Sequence, residues 1–597
     1  MTAFPWTDEQ KAVLGSKARI TLVQAGPGSG KTKVFAEIVD ERLRGWTDRI
    51  GGLAALSFTN VARDEIADRV CAATVSPHFV GTLDAFFLRF VIGPFGHLAG
   101  LPKSGARLIP SPLDQQMQGV KIAVSDSIRP TIFQIAATGG TEDAPEFQYR
   151  IPNGFSAGSV PATVKGWALT EKRKEWKSRG RVTHGDCSYL ASCILNGCHG
   201  LAVRAILARR FPVICIDEFQ DTGHFLGRAV LALLAEPRVE ALVVGDVDQK
   251  IFGFSGVNPQ LFSRVEKLHG TKQYPLRISQ RCAGRVCSVA SSLSRSATQV
   301  LPAEKAGAGK AVVTKHKDRP SEVDAKLLEQ LLGAAREAKC ATVAVLVRRR
   351  NTKAKLLRAA SAGDPPTKCR GVDQIARALD GLLEGRGRRA VDIAHAFMCR
   401  ILFEDDRPTD EELLNHGVDP VVLRRRVRKL LLNVADAVPG ETWAQWAARV
   451  KTHCDKLAAD CGITTHKQRL GGAFKANADD KPGEVRAAVV VKAPAWPTDL
   501  TLEVLTVHEA KGREFDAVAF YCPKPGKAGG KSSCPSETWW LPADDSEERE
   551  VAFVAATRAK HVLLLAIHEK TWTSFTGKRP EFLALFESLA DPPSATA

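Results

Sequence analysis

The octapeptide Ala25-Gly26-Pro27-Gly28-Ser29-Gly30-Lys31-Thr32 constrains this chain more than any other stretch. It follows Ile20-Thr21-Leu22-Val23, which reads as a buried strand, and precedes Val34–Val39, which reads as a helix. Strand, glycine-rich turn and helix form the context in which a phosphate-binding loop works. Glycines at 26, 28 and 30 let backbone N–H groups approach a polyphosphate, and a helix N-terminus adds positive potential there. Lys31 is then expected at the β- and γ-phosphates and the Thr32 hydroxyl on magnesium, with Ser29 and Lys33 completing the loop. Ala25 stands where the first glycine usually sits. ATP and Mg2+ are the expected cofactors.

Two further strands end in polar chemistry. Val213-Ile214-Cys215-Ile216 runs into Asp217-Glu218-Phe219-Gln220-Asp221-Thr222. Parallel sheets place ligands at the carboxyl ends of their strands. Asp217 is therefore the second candidate magnesium ligand, and Glu218 the candidate base for an attacking water. Ala241–Val244 runs into Gly245-Asp246-Val247-Asp248-Gln249, where the Gln249 amide can both donate to and accept from a water or γ-phosphate.

The chain has 597 residues, formal net charge +17 and a pI near 9.3. Length predicts roughly four domains, and the charge an anionic partner, most simply nucleic acid. Its 14 cysteines lack paired spacing, which suits reduced thiols better than a disulfide framework. No signal peptide is visible at the start, and no apolar run approaches membrane-spanning length. The expectation is a soluble cytoplasmic protein with no membrane partner. His184, Cys187, Cys193, Cys198 and His199 lack metal-site spacing and read as one apolar helix leading into the Val213 strand. No nuclease carboxylate set is evident after residue 559.

With these elements in place the chain resembles the UvrD/Rep/PcrA-like helicases of superfamily 1A, and the resemblance runs from end to end. Thr7-Asp8-Glu9-Gln10 looks like the adenine-reading Q-motif, which assigns Gln10 to the base. Ser57-Phe58-Thr59-Asn60, before the predicted helix Ala62–Val70, looks like motif Ia. Gly81-Thr82-Leu83-Asp84 resembles the next DNA-contacting motif, with Asp84 where histidine is usual. Asp217–Thr222 resembles motif II. Gly245–Gly256 resembles motif III, with Phe254 for a base-stacking tryptophan and Ser255 for arginine. Leu276–Arg281 looks like motif IV, with Arg281 on the catalytic arginine and Gln280 for an adenine-stacking aromatic, so base selectivity stays open. Leu505–Phe515 is similar to motif V, and Glu547–Ala559 to motif VI, which carries Arg558. Gly81-Thr82-x-Asp84, Arg281-Cys282 and Leu346–Asn351 look like the helicase component of the Gabija anti-phage system.

The resemblance implies an α/β fold of two tandem RecA-like P-loop domains, each with a mostly helical insertion. The first would hold 1–89 and 190–276, with insertion 90–189. The second would hold 277–355 and 495–597, with a reduced insertion 356–494. In the first insertion, Val164–Arg181 carries Trp167, Trp176 and a basic run (Lys172, Arg173, Lys174, Lys177, Arg179, Arg181). That pattern suits phosphates and bases, or equally a solvated helix with core tryptophans. The runs Arg386–Arg389 and Arg424–Lys429 read as a DNA or protein surface, or as a solvated face.

In the implied mechanism Lys31, Thr32 and magnesium hold the phosphates, while Glu218 and Gln249 position water. Arg281 and Arg558 reach across from the second domain. Glu514 reads the ribose or couples the cleft to DNA. Phe58, Thr59, Asn60, Thr82, Phe254 and His508 would lie on the single strand, with 3′ to 5′ movement. Relatives split duplexes with an aromatic-tipped hairpin after motif VI; here His568–Phe575 looks short for one. The reading is thus an ATP-driven single-stranded DNA translocase or helicase acting in anti-phage defence. One alternative is a DNA-end or nucleotide-sensing ATPase that activates a partner nuclease of the ATPase–TOPRIM (OLD) type. The other is a DNA repair helicase.

Overall fold

A computed structural model describes residues 5–58, 63, 76–109, 120–125, 128–150, 157–251, 260–296, 299–316, 323–349, 352–353, 375–376, 378–379, 387–403, 413, 416–435, 443–462, 500–522, 547–578 and 580–588. The chain divides into two compact units. One comprises Met1–Lys317, Leu331–Arg348 and Leu505–Ala597, the other Asp318–Gln330 and Arg349–Val504.

The first unit holds one six-stranded sheet and most of a second. The first sheet contains β1 (Ile20–Ala25), β2 (Leu53–Ser57), β3 (Phe79–Thr82), β4 (Val213–Ile216), β5 (Glu240–Gly245) and β6 (Thr271–Leu276). Their order is β6-β1-β5-β4-β2-β3, and every pairing is parallel. Alternate residues serve opposite faces, as the two-residue strand period requires. Leu22, Leu56, Ile214, Ile216 and Val243 pack into one core, and Val23, Ala55, Val213, Cys215 and Val244 into the other. Both faces are covered, so these strands read as continuous apolar runs. Crossovers on each side place the ends of β1, β5 and β4 next to one another, the position where open parallel sheets bind ligands.

The second sheet contains β7 (Lys310–His316), β8 (Thr342–Val347), β9 (Thr501–Thr506), β10 (Phe515–Cys522), β11 (Ala559–His568) and β12 (Glu587–Ser588), in the order β9-β8-β10-β11-β7-β12. The run β8-β10-β11-β7-β12 is parallel. Its core joins Ala344, Leu346, Val518, Phe520, Leu563 and Leu565 to helix Glu548–Ala556.

The segment between β3 and β4 is less helical than its periodicity suggests. Ile135–Gly140, Pro145–Arg150 and Ala157–Ser159 form a three-stranded antiparallel sheet. The stretch read as one apolar helix is two helices, His184–Asn196 and Gly200–Arg210, bent by 102°. Gly197 and Gly200 allow the bend: a Cβ at Gly200 would lie 2.3 Å from the Leu195 carbonyl oxygen. Among the described residues no single helix is long and apolar enough to cross a membrane.

In the second unit, helices Gly387–Phe403, Pro420–Ala435 and Trp443–Asp460 share a core that includes Phe397, Leu423, Val427, Leu431, Trp446 and Val450. Arg424, Arg425, Arg428 and Lys429 lie on the exposed side of the middle helix, and Arg424 pairs with Asp392 at 3.0 Å. The Arg386–Arg389 side chains lie outside the described residues.

Candidate nucleotide cleft and its neighbours

The glycine-rich turn is built as a cradle. Gly28 and Gly30 have φ of +69° and +77°, a region in which glycine alone is unstrained. A Cβ on Gly28 would fall 2.5 Å from the Arg281 Cβ, and one on Gly30 would fall 2.8 Å from the Gln10 amide nitrogen. The loop therefore nests against residues 279–281 on one side and helix α1 (Asp8–Leu14) on the other. Three hydrogen bonds fix it: Gly26 N–H to the Leu276 carbonyl at 2.7 Å, Gln280 N–H to the Gly28 carbonyl at 2.8 Å, and Ser29 Oγ to the Gly26 carbonyl at 2.8 Å.

Gln10 is buried. Its Oε1 accepts from Thr7 N–H at 2.9 Å and its Nε2 donates to the Ser29 carbonyl at 2.9 Å. The side chain expected at the base is thus tied to the loop. Lys31 and Thr32 open helix α2 (Lys31–Arg44), Ala25 ends β1 in the core, and Lys33 lies over the Trp6 ring at 5.5 Å.

Lys31 Nζ forms an ion pair with Glu218 Oε1 at 2.7 Å. Glu218 has a φ of 53°, unusual for a side chain of this size, in the tight turn that follows β4. Its other oxygen accepts from the Gln220 amide, whose Oε1 accepts from Asp246 N–H at 2.9 Å. Burial opposes the charge on Lys31, but Glu218, Asp217 and Asp246 together hold its pKa above an ordinary lysine's. Burial also opposes charge on Glu218, and there Lys31 and Lys511 win, bringing it down to about 2.

Asp246 is different. Burial, reinforced by Asp248, pushes it up to about 7. Asp217 accepts from Glu218 N–H at 2.8 Å, and Gln249 donates to Asp246 Oδ2 at 2.6 Å.

The second sheet supplies cations to the same place. Arg558 is almost wholly buried, with Nη2 3.4 Å from Gln249 Oε1 and Nη1 3.2 Å from the Arg513 carbonyl. Burial and neighbouring Arg281 lower it to about 9, which leaves it cationic at neutral pH. Arg281 pairs with Glu514 at 2.7 Å, and Lys560 holds the other Glu514 oxygen at 3.0 Å. Glu514 is therefore the partner of a candidate catalytic arginine.

Sequence reasoning missed Lys511, which donates to Asp221 Oδ2 at 2.5 Å and to the Gln249 carbonyl at 2.8 Å. It also missed Asp248, which accepts from Ser294 Oγ, Arg295 N–H and Ser296 N–H at 2.8, 2.8 and 3.0 Å. The signal was their position in motifs V and III; their partners are 290 and about 46 residues away in the chain.

The residues expected on DNA are less gathered. Phe58 is half-buried just after β2. Thr82 caps a short helix by accepting from Ala85 N–H at 3.2 Å, and His508 Nε2 lies 2.8 Å from the Ile251 carbonyl. Thr59, Asn60, Phe254 and the predicted helix Ala62–Val70, apart from Arg63, lie outside the described residues. The short-hairpin stretch is the end of β11 followed by helix Glu569–Lys578, with Trp572 packed against the second sheet's core.

The donors fit magnesium. A hydroxyl on Thr32 and a carboxylate on Asp217 are hard oxygen ligands, and magnesium keeps most of its shell for phosphates and water. Among the described residues no group of three or more His, Cys, Asp and Glu is placed to hold a metal, so an all-protein cage is not what the cleft offers.

A phosphate cradle at the carboxyl end of one parallel sheet, faced by Arg558 from a second and by Arg281 from the segment between them, defines a P-loop protein with paired RecA-like domains. Residues 6–129 and 180–270 match the UvrD/REP helicase N-terminal domain, and residues 497–570 match the UvrD-like helicase C-terminal domain. These matches give the chain the N- and C-terminal domains of UvrD/Rep-type helicases. It is 27% identical over 310 residues to the ATP-dependent DNA helicase srs2 of Schizosaccharomyces pombe, covering 48% of this chain and 34% of that protein. It is 24% identical over 343 residues to the Gabija protein GajB of Bacillus cereus, covering 56% and 58%. With the ATP-dependent DNA helicase PcrA of Leuconostoc citreum it shares 24% over 253 residues, covering 41% and 33%. The chain thus spans a third to under two thirds of these curated relatives.

Proposed function

We propose that the protein is an ATP-driven translocase on single-stranded DNA, moving 3′ to 5′, and that it works in anti-phage defence. The ATP-driven part of this reading is carried by the chain of contacts Lys31–Glu218–Gln220–Asp246–Gln249–Arg558, which joins the phosphate cradle to the second sheet; the direction and the defence role rest on the family resemblance and the similarity to GajB. A polyphosphate entering the cradle competes for Lys31. Glu218 then loses its cation and is left as a carboxylate next to the reacting phosphorus, able to accept a proton from water. Gln249 holds that water, and Arg558 and Arg281 set positive charge where negative charge develops. Thr32 and Asp217 present oxygens for a magnesium ion, whose chemistry when bound is to neutralise charge on the phosphate oxygens.

Hydrolysis releases the hold of Arg558 and Lys511 on the first sheet, so the two sheets open and close once per ATP. The test is phosphate release with and without single-stranded DNA, together with displacement of a labelled strand from 3′-tailed and 5′-tailed duplexes. DNA-stimulated hydrolysis and a 3′-tail preference are expected; hydrolysis indifferent to DNA overturns the reading.

A second reading is favoured by one observation. The helix at Glu569–Lys578 occupies the stretch from which a strand-splitting pin would extend. On that reading the ATPase senses DNA ends or nucleotide and activates an ATPase–TOPRIM nuclease, which the similarity to GajB supports. Stimulated hydrolysis without strand displacement is its signature. A DNA repair role predicts robust displacement without a partner.

A further inference from the structure

Helix Ala162–Arg179 carries two tryptophans nine residues apart. At about 100° per residue they point in opposite directions, so one can be core and the other cannot. Trp176 is the inward one: 3% exposed, with its ring centroid 5.9 Å from that of Tyr189. Lys172, on the same side, is buried in an ion pair with Asp186 at 2.6 Å. This inner face fixes the helix against its neighbours.

Trp167 is 44% exposed, on the outer face. Thr170, Lys174 and Lys177 follow it at intervals of three and four, and all are exposed. A Cβ built on neighbouring Gly166 meets nothing within 4 Å, so the helix surface at Gly166 is open. The only other exposed side chains along this stripe are small and polar, Thr163 and Ser178. One large ring with two cations and little other apolar surface is a poor match for a protein interface, whose buried centre is depleted in charge. It matches a single nucleic-acid strand: a base stacks on the ring while phosphates meet the cations about 10 to 15 Å further along the helix. Lys174 also pairs with Glu171 at 2.6 Å, an exposed contact that a phosphate can replace.

We infer that the outer face of helix Ala162–Arg179 is an accessory single-stranded DNA site, with Trp167 as its stacking platform and Lys174 and Lys177 as its phosphate contacts. It rests on the reading of the protein as a DNA translocase and adds a contact outside the nucleotide cleft.

The test uses fluorescence anisotropy on the full chain without ATP, with fluorescein-labelled oligothymidylates of about 8 and about 30 nucleotides. Trp167→Ala is expected to weaken the long oligomer about tenfold and leave the short one, which the core track alone accommodates, within twofold. Trp167→Phe restores most of the loss. Lys174→Glu with Lys177→Glu lowers the salt dependence of long-oligomer binding by about two phosphate equivalents. An abasic strand of the same length removes the Trp167 effect and keeps the lysine effect. The inference is overturned if Trp167→Ala binds the long oligomer as wild type does, if both lengths weaken equally, or if the lysine variant keeps the wild-type salt slope. Hydrolysis indifferent to DNA would overturn the translocase reading but would not alter these binding outcomes.

Discussion

Lys31 Nζ and Glu218 Oε1 stand 2.7 Å apart, so the lysine of the phosphate cradle is closed on the carboxylate at the end of β4. Each neutralises the other in a place where burial penalises both charges. Lys31→Met is expected to cost about 3 kcal/mol of stability, because it leaves Glu218 buried without its cation. Lys31→Met with Glu218→Gln is expected to recover most of that loss in urea denaturation. Hydrolysis falls by about 100-fold or more in both proteins. Activity surviving Lys31→Met would falsify the assignment of the cradle.

Asp246 gives the cleft a pH dependence. Its carboxyl is raised from 3.8 to about 7. A raised carboxyl binds its proton more tightly in the folded state. Its stabilisation is therefore complete below about 4 and is lost as pH rises toward 7. Glu218, lowered to about 2, contributes the opposite way, with stability present above its ordinary value of 4.5 and lost on acidification. Asp246→Asn is expected to raise the thermal midpoint of the nucleotide-free protein at pH 8 and to flatten its decline between pH 4 and 7. A midpoint profile identical to wild type across that window would show that Asp246 does not set this pH dependence.

Arg558 depends on the shape of its head group. The guanidinium reaches the Gln249 side chain and the Val554 and Arg513 carbonyls together, which a single ammonium cannot do. Arg558→Lys is expected to lower kcat about 1,000-fold and to change nucleotide affinity only a few-fold. Steady-state hydrolysis with saturating DNA, paired with fluorescent-nucleotide titration, separates the two effects. A kcat near wild type would mean that Arg558 only braces the second sheet.

Gly28 is where the loop and the second arginine meet. Gly28→Ala puts a Cβ within 2.5 Å of the Arg281 Cβ, on a backbone with φ +69°. The strain is expected to cost about 1 to 3 kcal/mol and to move Arg281. Nucleotide binding and hydrolysis should both fall, by tenfold or more. Gly166→Ala, where a Cβ meets nothing, serves as the control for stability.

Much of the first sheet was legible because both of its faces are buried. Val213–Ile216 and Ala241–Val244 are apolar throughout, and β4 and β5 differ from them by at most a residue at either end. The antiparallel strands at Ile135–Gly140 and Pro145–Arg150 were not legible, since Ala136-Ala137-Thr138-Gly139-Gly140 has no alternation and extends only because a partner strand pairs with it. The bend at Gly197 and Gly200 was hidden in an apolar run whose periodicity continues on both sides.

Residue types and local order suffice for a phosphate cradle, since its glycines, its lysine and the helix behind it are neighbours in the chain. They also suffice for the polar ends of β4 and β5. Sequence alone left open which tryptophan of helix Ala162–Arg179 faces out, because a helical period puts residues 167 and 176 on opposite sides without naming the core. Nor could it show that Lys511 meets Asp221, or that Glu514 holds Arg281. Those pairs are separated by 290 and 233 residues, and only the packing of two sheets brings them within hydrogen-bonding distance.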